Sequence, residues 1–120
     1  MKAILFVFIG GGLGSVARYL LSKLNVLHII PFGTLVANVV GCFLIGLLLA
    51  YINRNQLLSK EIVLLLATGF CGGFTTFATF AYENQVFLKS ENYLHFFMYA
   101  AFSFILGIGA VLFGISLIKN

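Results

Sequence analysis

Charge is the scarcest property of this chain. Of its 120 residues 8% are charged, with 3 Asp+Glu against 7 Lys+Arg, where soluble chains carry roughly 25%. A composition that is 62% hydrophobic, with a mean hydropathy of +1.12, excludes a soluble domain. Cysteine is equally thin. Cys42 and Cys71 fall in separate apolar segments with no paired spacing and no nearby His, so neither a disulfide nor thiol metal binding is indicated, and both read as small packing residues. There is no Ser-His-Asp set, no intramembrane HExxH and no pair of carboxylates, so nothing supports an enzyme. The basic residues are scattered one or two per segment end, a pattern for loops against lipid headgroups and not for nucleic acid. His28 and His95 sit near segment ends, where a polar residue is ordinary.

What the chain has is apolar length. Windows run from about Ala3 to Leu24, Pro31 to Ile52, Glu61 to Leu88 and Tyr93 to Ile118, each long enough for the ~20 residues of a spanning helix. Residues 1–120 therefore read as one all-α domain of four transmembrane helices, a multi-pass protein of the cell membrane with short loops and no repeat. Lys2 before an apolar run resembles a signal peptide, but the run continues past Arg18 and three more spans follow, so it is read as a retained first helix.

Within these spans the polar residues are few and ordered. The first carries Gly10 and Gly14 in a GxxxG pattern, with Arg18 one turn on along the same face. The glycines let another backbone approach closely. Arg18 reads either as a snorkelling anchor or as a cation guarding an anion vestibule. Pro31 suits a helix start, and Gly33, Ala37 and Gly41 form a second small-residue seam beside Thr34 and Asn38. Asn38 must find partners in hydrocarbon, as interhelical glue or as part of a pore wall. The fourth span places Tyr99, Ser103 and Gly107 at four-residue steps.

The stretch around which the rest is arranged is Gly69 to Glu83, GFCGGFTTFATFAYE. Gly72-Gly73 predicts an interruption of the third helix near Gly72–Thr76, since glycine loses the most freedom on becoming helical. Phe74, Phe77 and Phe80 recur every third residue on one face. Broken backbone at membrane depth is tolerated only where protein buries it or where it lines a polar pathway. The stretch is thus the lining of a site or a tight helix contact with aromatic filler, with Glu83 at one end of it. Inside the span ends the only carboxylate is Glu83, itself toward an end, where a proton-coupled pump would carry one at mid-membrane and a cation channel a ring of them. Thr34, Asn38, Thr75, Thr76, Thr79, Tyr99 and Ser103 are uncharged donors. Set among phenyl rings, whose edges are electropositive, they fit a small anion. Four short helices are thin for enclosing a pathway, so an oligomer is expected.

The sequence closely resembles the CrcB/Fluc family of fluoride channels over essentially its whole length, through GGGLGSVARY, GTLVANVVGCFLIG and GFCGGFTTFATFAYE. The resemblance implies passive, fluoride-selective efflux through an antiparallel dual-topology dimer with two pores. It further implies that Phe77 and Phe80 are the phenyl rings of the path and that Asn38 is the amide donor facing them. Thr79, Tyr99 and Ser103 then belong to a polar track, with Thr34 supporting Asn38, Arg18 lining the vestibule and Glu83 near a pore end. A structural sodium ion (Na+) at the dimer centre is implied as well, held by the backbone carbonyls of Gly72 and Thr75 from both chains. One departure stands out: Ala78 occupies a position where the family motif usually has serine.

Two rival readings come from other classes. A small dual-topology exporter needs a carboxylate in its first helix, and the first span has none. A non-conducting assembly subunit, paired with a homologous second chain, is the other. The Lys/Arg balance bears on that choice. Lys2, Arg54, Lys60 and Lys119 share one side, against Lys23 and Lys89 with Arg18 as an arguable third. So small an excess gives only a weak orientation preference, as a chain needs if it is to insert both ways and pair with itself.

Overall fold

Hydrocarbon offers no water to backbone amides, so an apolar segment that crosses it must close its hydrogen bonds internally, as a helix does. The computed structural model describes residues 1–27, 29–55 and 58–118; His28 and Lys119, both read above from the sequence, lie outside them. Helix α1 is Lys2–Ser22 and continues into a 3-10 turn, Lys23–Leu27. Helix α2 is Phe32–Asn55. Helix α3, residues 60–74, opens with an α turn Lys60–Val63, widens into a π-helical stretch Leu64–Cys71, and closes with Gly72–Phe74. Helix α4 is Phe77–Lys89 and α5 is Tyr93–Ile118. Among the described residues there is no strand. Four spans, Lys2–Val26, Phe32–Arg54, Lys60–Lys89 and Tyr93–Ile118, are long and apolar enough to cross a membrane. The chain is an all-helical, multi-pass membrane protein.

Local chemistry sets the ends. Ser59 precedes α3 and its Oγ accepts the Ile62 N–H at 3.2 Å, satisfying one of the free first-turn donors. Helix α4 ends in a Schellman arrangement: Asn92 N–H donates to Phe87 O at 2.8 Å and Glu91 N–H to Leu88 O at 3.1 Å. Glu91 takes the left-handed position at φ 59°, where glycine is the usual occupant.

The helices meet through small residues, as the seams in the sequence lead one to expect. A Cβ on Gly10 would strike the Leu65 carbonyl, one on Gly14 the Phe70 carbonyl, and one on Gly73 the Gly11 carbonyl. Helix α1 thus lies backbone to backbone on the π-helical part of α3. On α2, Ala37 is fully buried, Gly33 abuts the Leu21 carbonyl and Gly41 faces the Thr75 methyl. Lower on α2, Gly46 meets Val111, and the Phe43 and Phe113 rings pack at a 30° tilt with centroids 5.7 Å apart, which fastens α5. Arg54 Nη1 donates to the Ile118 carbonyl at 2.9 Å, closing the last turn of α5. The molecule measures 49 × 34 × 19 Å. Its thinnest dimension is about two helix diameters.

Candidate functional site

Between α3 and α4 the chain leaves the helix at two residues. Gly72 and Gly73 are themselves helical, and Thr75 (φ −89°, ψ 155°) and Thr76 (φ −150°, ψ 121°) are extended. Threonine favours this, because its hydroxyl can replace a backbone partner and its branched Cβ resists helix. Thr75 donates from both N–H and Oγ1 to the Cys71 carbonyl, at 3.0 and 2.8 Å. Thr76 caps α4, its Oγ1 accepting the Thr79 N–H at 3.1 Å.

Asn38 clamps the gap from α2. Its Oδ1 accepts the Thr76 N–H at 2.7 Å and its Nδ2 donates to the Thr76 carbonyl at 3.0 Å. These bonds decide which carbonyls are left over. In an unbroken helix Gly72 O would take the Thr76 N–H and Thr75 O the Thr79 N–H; both donors are used elsewhere. Gly73 O has lost its partner too, and accepts from Arg18 Nε at 3.0 Å. Arg18 is therefore held at the gap by α1.

A cleft of about 420 Å³ opens beside these residues, lined by Asn38, Gly72, Thr75, Thr76, Phe77, Phe80 and Ser103, with Cys42 and Cys71 among the remaining wall residues. The Phe77 and Phe80 rings are tilted at 47° with centroids 6.0 Å apart. Phe77 is 74% exposed on the single chain and Phe80 only 9%. The Ser103 hydroxyl is buried without a protein partner among the described residues.

Behind Phe80 lies a second polar cluster. The Phe80 ring packs on Tyr99 at 5.0 Å, and Tyr99, 1% exposed, donates its hydroxyl to Glu83 Oε1 at 2.7 Å. Glu83 Oε2 accepts from Thr34 Oγ1 at 2.7 Å and from Asn25 Nδ2 at 3.3 Å. Three neutral donors thus share a carboxylate that would otherwise be costly inside the molecule.

Of the residues singled out from the sequence, Asn38, Phe77, Phe80 and Ser103 converge on the cleft together with Gly72 and Thr75. Thr34, Glu83 and Tyr99 converge on the second cluster, and the Phe80 ring joins the two. Thr79 takes part through its N–H. Thr34 bonds Asn25 and Glu83 rather than Asn38. Asn25 belongs to none of the sequence patterns above; 58 residues separate it from Glu83, and no periodicity reaches across that distance. Among the described residues no group of three or more His, Cys, Asp or Glu could hold a metal.

The sequence model of the family described as CrcB-like protein, Camphor Resistance (CrcB), matches residues 5–115. A protein of Gloeothece citriformis named Fluoride-specific ion channel FluC is 51% identical, covering 100% of this chain and 99% of its own. Proteins of the same name from Leptospira interrogans and Flavobacterium psychrophilum are 47% and 39% identical, over 99% and 100% of this chain and 96% and 99% of theirs.

Proposed function

This chain belongs to the CrcB family, and on that premise we propose that it is a fluoride-specific channel through which fluoride leaves the cell passively. Channel conduction is not an enzymatic reaction. What supports this reading in the residues is the wall around the gap: neutral N–H and O–H donors interleaved with phenyl rings, and no carboxylate in the cleft. Fluoride is small and holds its water tightly, so a path must offer dense donors in exchange. Asn38 has a second amide hydrogen beyond the one given to Thr76, and Thr76 and Ser103 add hydroxyls. Ring edges of Phe77 and Phe80 carry partial positive charge. Chloride is larger and loses less by staying hydrated. Purified protein in liposomes is expected to release fluoride and retain chloride, as read by ion-selective electrodes. Equal rates for the two ions would refute the selectivity.

In the finer reading, two chains pack antiparallel, each completing what the other leaves open. The 19 Å thickness, the exposed Phe77 ring and the open cleft are consistent with a partner there. A sodium ion fits the chemistry of the gap: the Gly72 and Thr75 carbonyls have lost their helical donors and are hard oxygen ligands. One chain supplies two such oxygens, too few for a cation that favours more, and a second copy would double them. Bound there, the ion would raise the potential felt by an anion nearby. The extended pair Thr75-Thr76 is then the interruption of the third spanning segment, and Arg18 keeps its last turn from unravelling.

If the partner is a second copy of this chain, both orientations must exist. A single cysteine introduced into the connection between α2 and α3, in a Cys42 and Cys71-free background, is expected to label from both sides of the membrane. Labelling from one side alone would exclude the homodimer and leave a homologous second chain as the partner.

A further inference from the structure

Asn25 belongs to no motif and stands in the 3-10 turn Lys23–Leu27, outside the long helices. Its side chain nevertheless bonds two of them at once. Oδ1 accepts the Thr34 N–H at 3.2 Å, a donor of the first turn of α2 that has no helical acceptor. Nδ2 donates to Thr34 Oγ1 at 3.1 Å and to Glu83 Oε2 at 3.3 Å. A cap needs only the acceptor. The donor is turned to the carboxylate, on the side of Glu83 opposite Tyr99.

We infer that Asn25 is a positioning residue for fluoride passage: it fixes the Glu83 carboxylate against α2, so that its charge stays off the anion's route. This rests on the fluoride-channel reading. Glu83 is the carboxylate joined through Tyr99 to Phe80, and Phe80 lines the cleft. A carboxylate free to turn would carry its charge toward the cleft and repel an anion there. With Oε1 held by Tyr99 and Oε2 by Thr34 and Asn25, rotation about the carboxyl stem would break three hydrogen bonds together. Asn25 can be changed without touching the cleft or the rings.

Asn25→Asp separates capping from positioning, because aspartate caps a helix as well as asparagine but brings a second carboxylate to Glu83 in place of a donor. If Asn25 only caps, this variant conducts like the parent. If it positions Glu83, fluoride efflux from liposomes falls by about tenfold or more, as like charges forced together disfavour the native arrangement. The double variant Asn25→Asp/Glu83→Gln exchanges donor and acceptor across the same contact, and is expected to recover flux about threefold or more over Asn25→Asp, beyond any change that Glu83→Gln makes alone, a coupling that independent sites would not show. Should Asn25→Asp fail to assemble, restored assembly and flux in the double variant carry the test by themselves. Parental flux in Asn25→Asp, or no recovery in the double variant, overturns the role. Parent liposomes that release no fluoride overturn the channel reading and this role with it.

Discussion

Asn38→Asp is expected to abolish fluoride efflux from liposomes while the protein still assembles. The substitution preserves shape and the acceptor that takes the Thr76 N–H at 2.7 Å. It removes the donor that holds the Thr76 carbonyl at 3.0 Å and sets an anionic oxygen against that carbonyl instead. Leaving one partner of a buried hydrogen bond unmatched costs about 1–3 kcal/mol, which alone is roughly a fivefold to hundredfold loss if it falls on the conducting state. The remaining amide hydrogen, the one free for the anion, disappears as well. A carboxylate at the cleft wall then repels what the wall is built to accept. Efflux followed with a fluoride electrode, beside gel filtration of the same preparation, checks both halves. A variant that conducts within a few-fold of the parent would take Asn38 out of the path.

Phe80→Ile is the second large effect. Isoleucine retains apolar bulk, so the contact with Tyr99 loses area but does not open a cavity the size of a ring. A ring lining the cleft is gone, and with it the electropositive edge that would meet an anion while keeping water out. Flux is expected to fall by at least about fivefold, because an edge contact of ~1 kcal/mol or more acts on the ion in transit. Tyr99 and Glu83 keep their bond in this variant, so a melting temperature close to the parent separates lost conduction from lost folding. Undiminished flux would mean that the ring at 80 is packing alone and that the path runs elsewhere.

Much of this was legible in the sequence, and the reasons are specific. The spans follow from length and hydropathy, which local composition fixes. Gly10, Gly14, Gly33 and Gly41 signal close approach because spacing by four puts small residues on one helix face, and the added-Cβ contacts fall on neighbouring helices. Asn38 had two readings, glue or wall, and in the fold it bonds Thr76 and lines the cleft at once. Other features left no trace. The glycine pair pointed to the gap, yet the extended residues are Thr75 and Thr76, because Asn38 and the threonine hydroxyls supply the alternative partners. Nothing in LLLATGFC distinguishes a π-helical stretch from an α-helix. The bonds from Asn25 to Thr34 and Glu83 join a connector to two helices, and spacing rules describe one helix at a time.

The leftover carbonyls at the gap bear on how the protein comes to exist. Gly72 is exposed on the single chain and Thr75 half-buried, and unsatisfied backbone groups cost several kcal/mol each in hydrocarbon. A newly inserted chain with only lipid around it carries that penalty until something covers the gap. On the proposed two-chain reading, covering the gap is a meeting of two chains in the plane of the membrane, and the amount of covered protein would rise more steeply than the rate at which single chains are made.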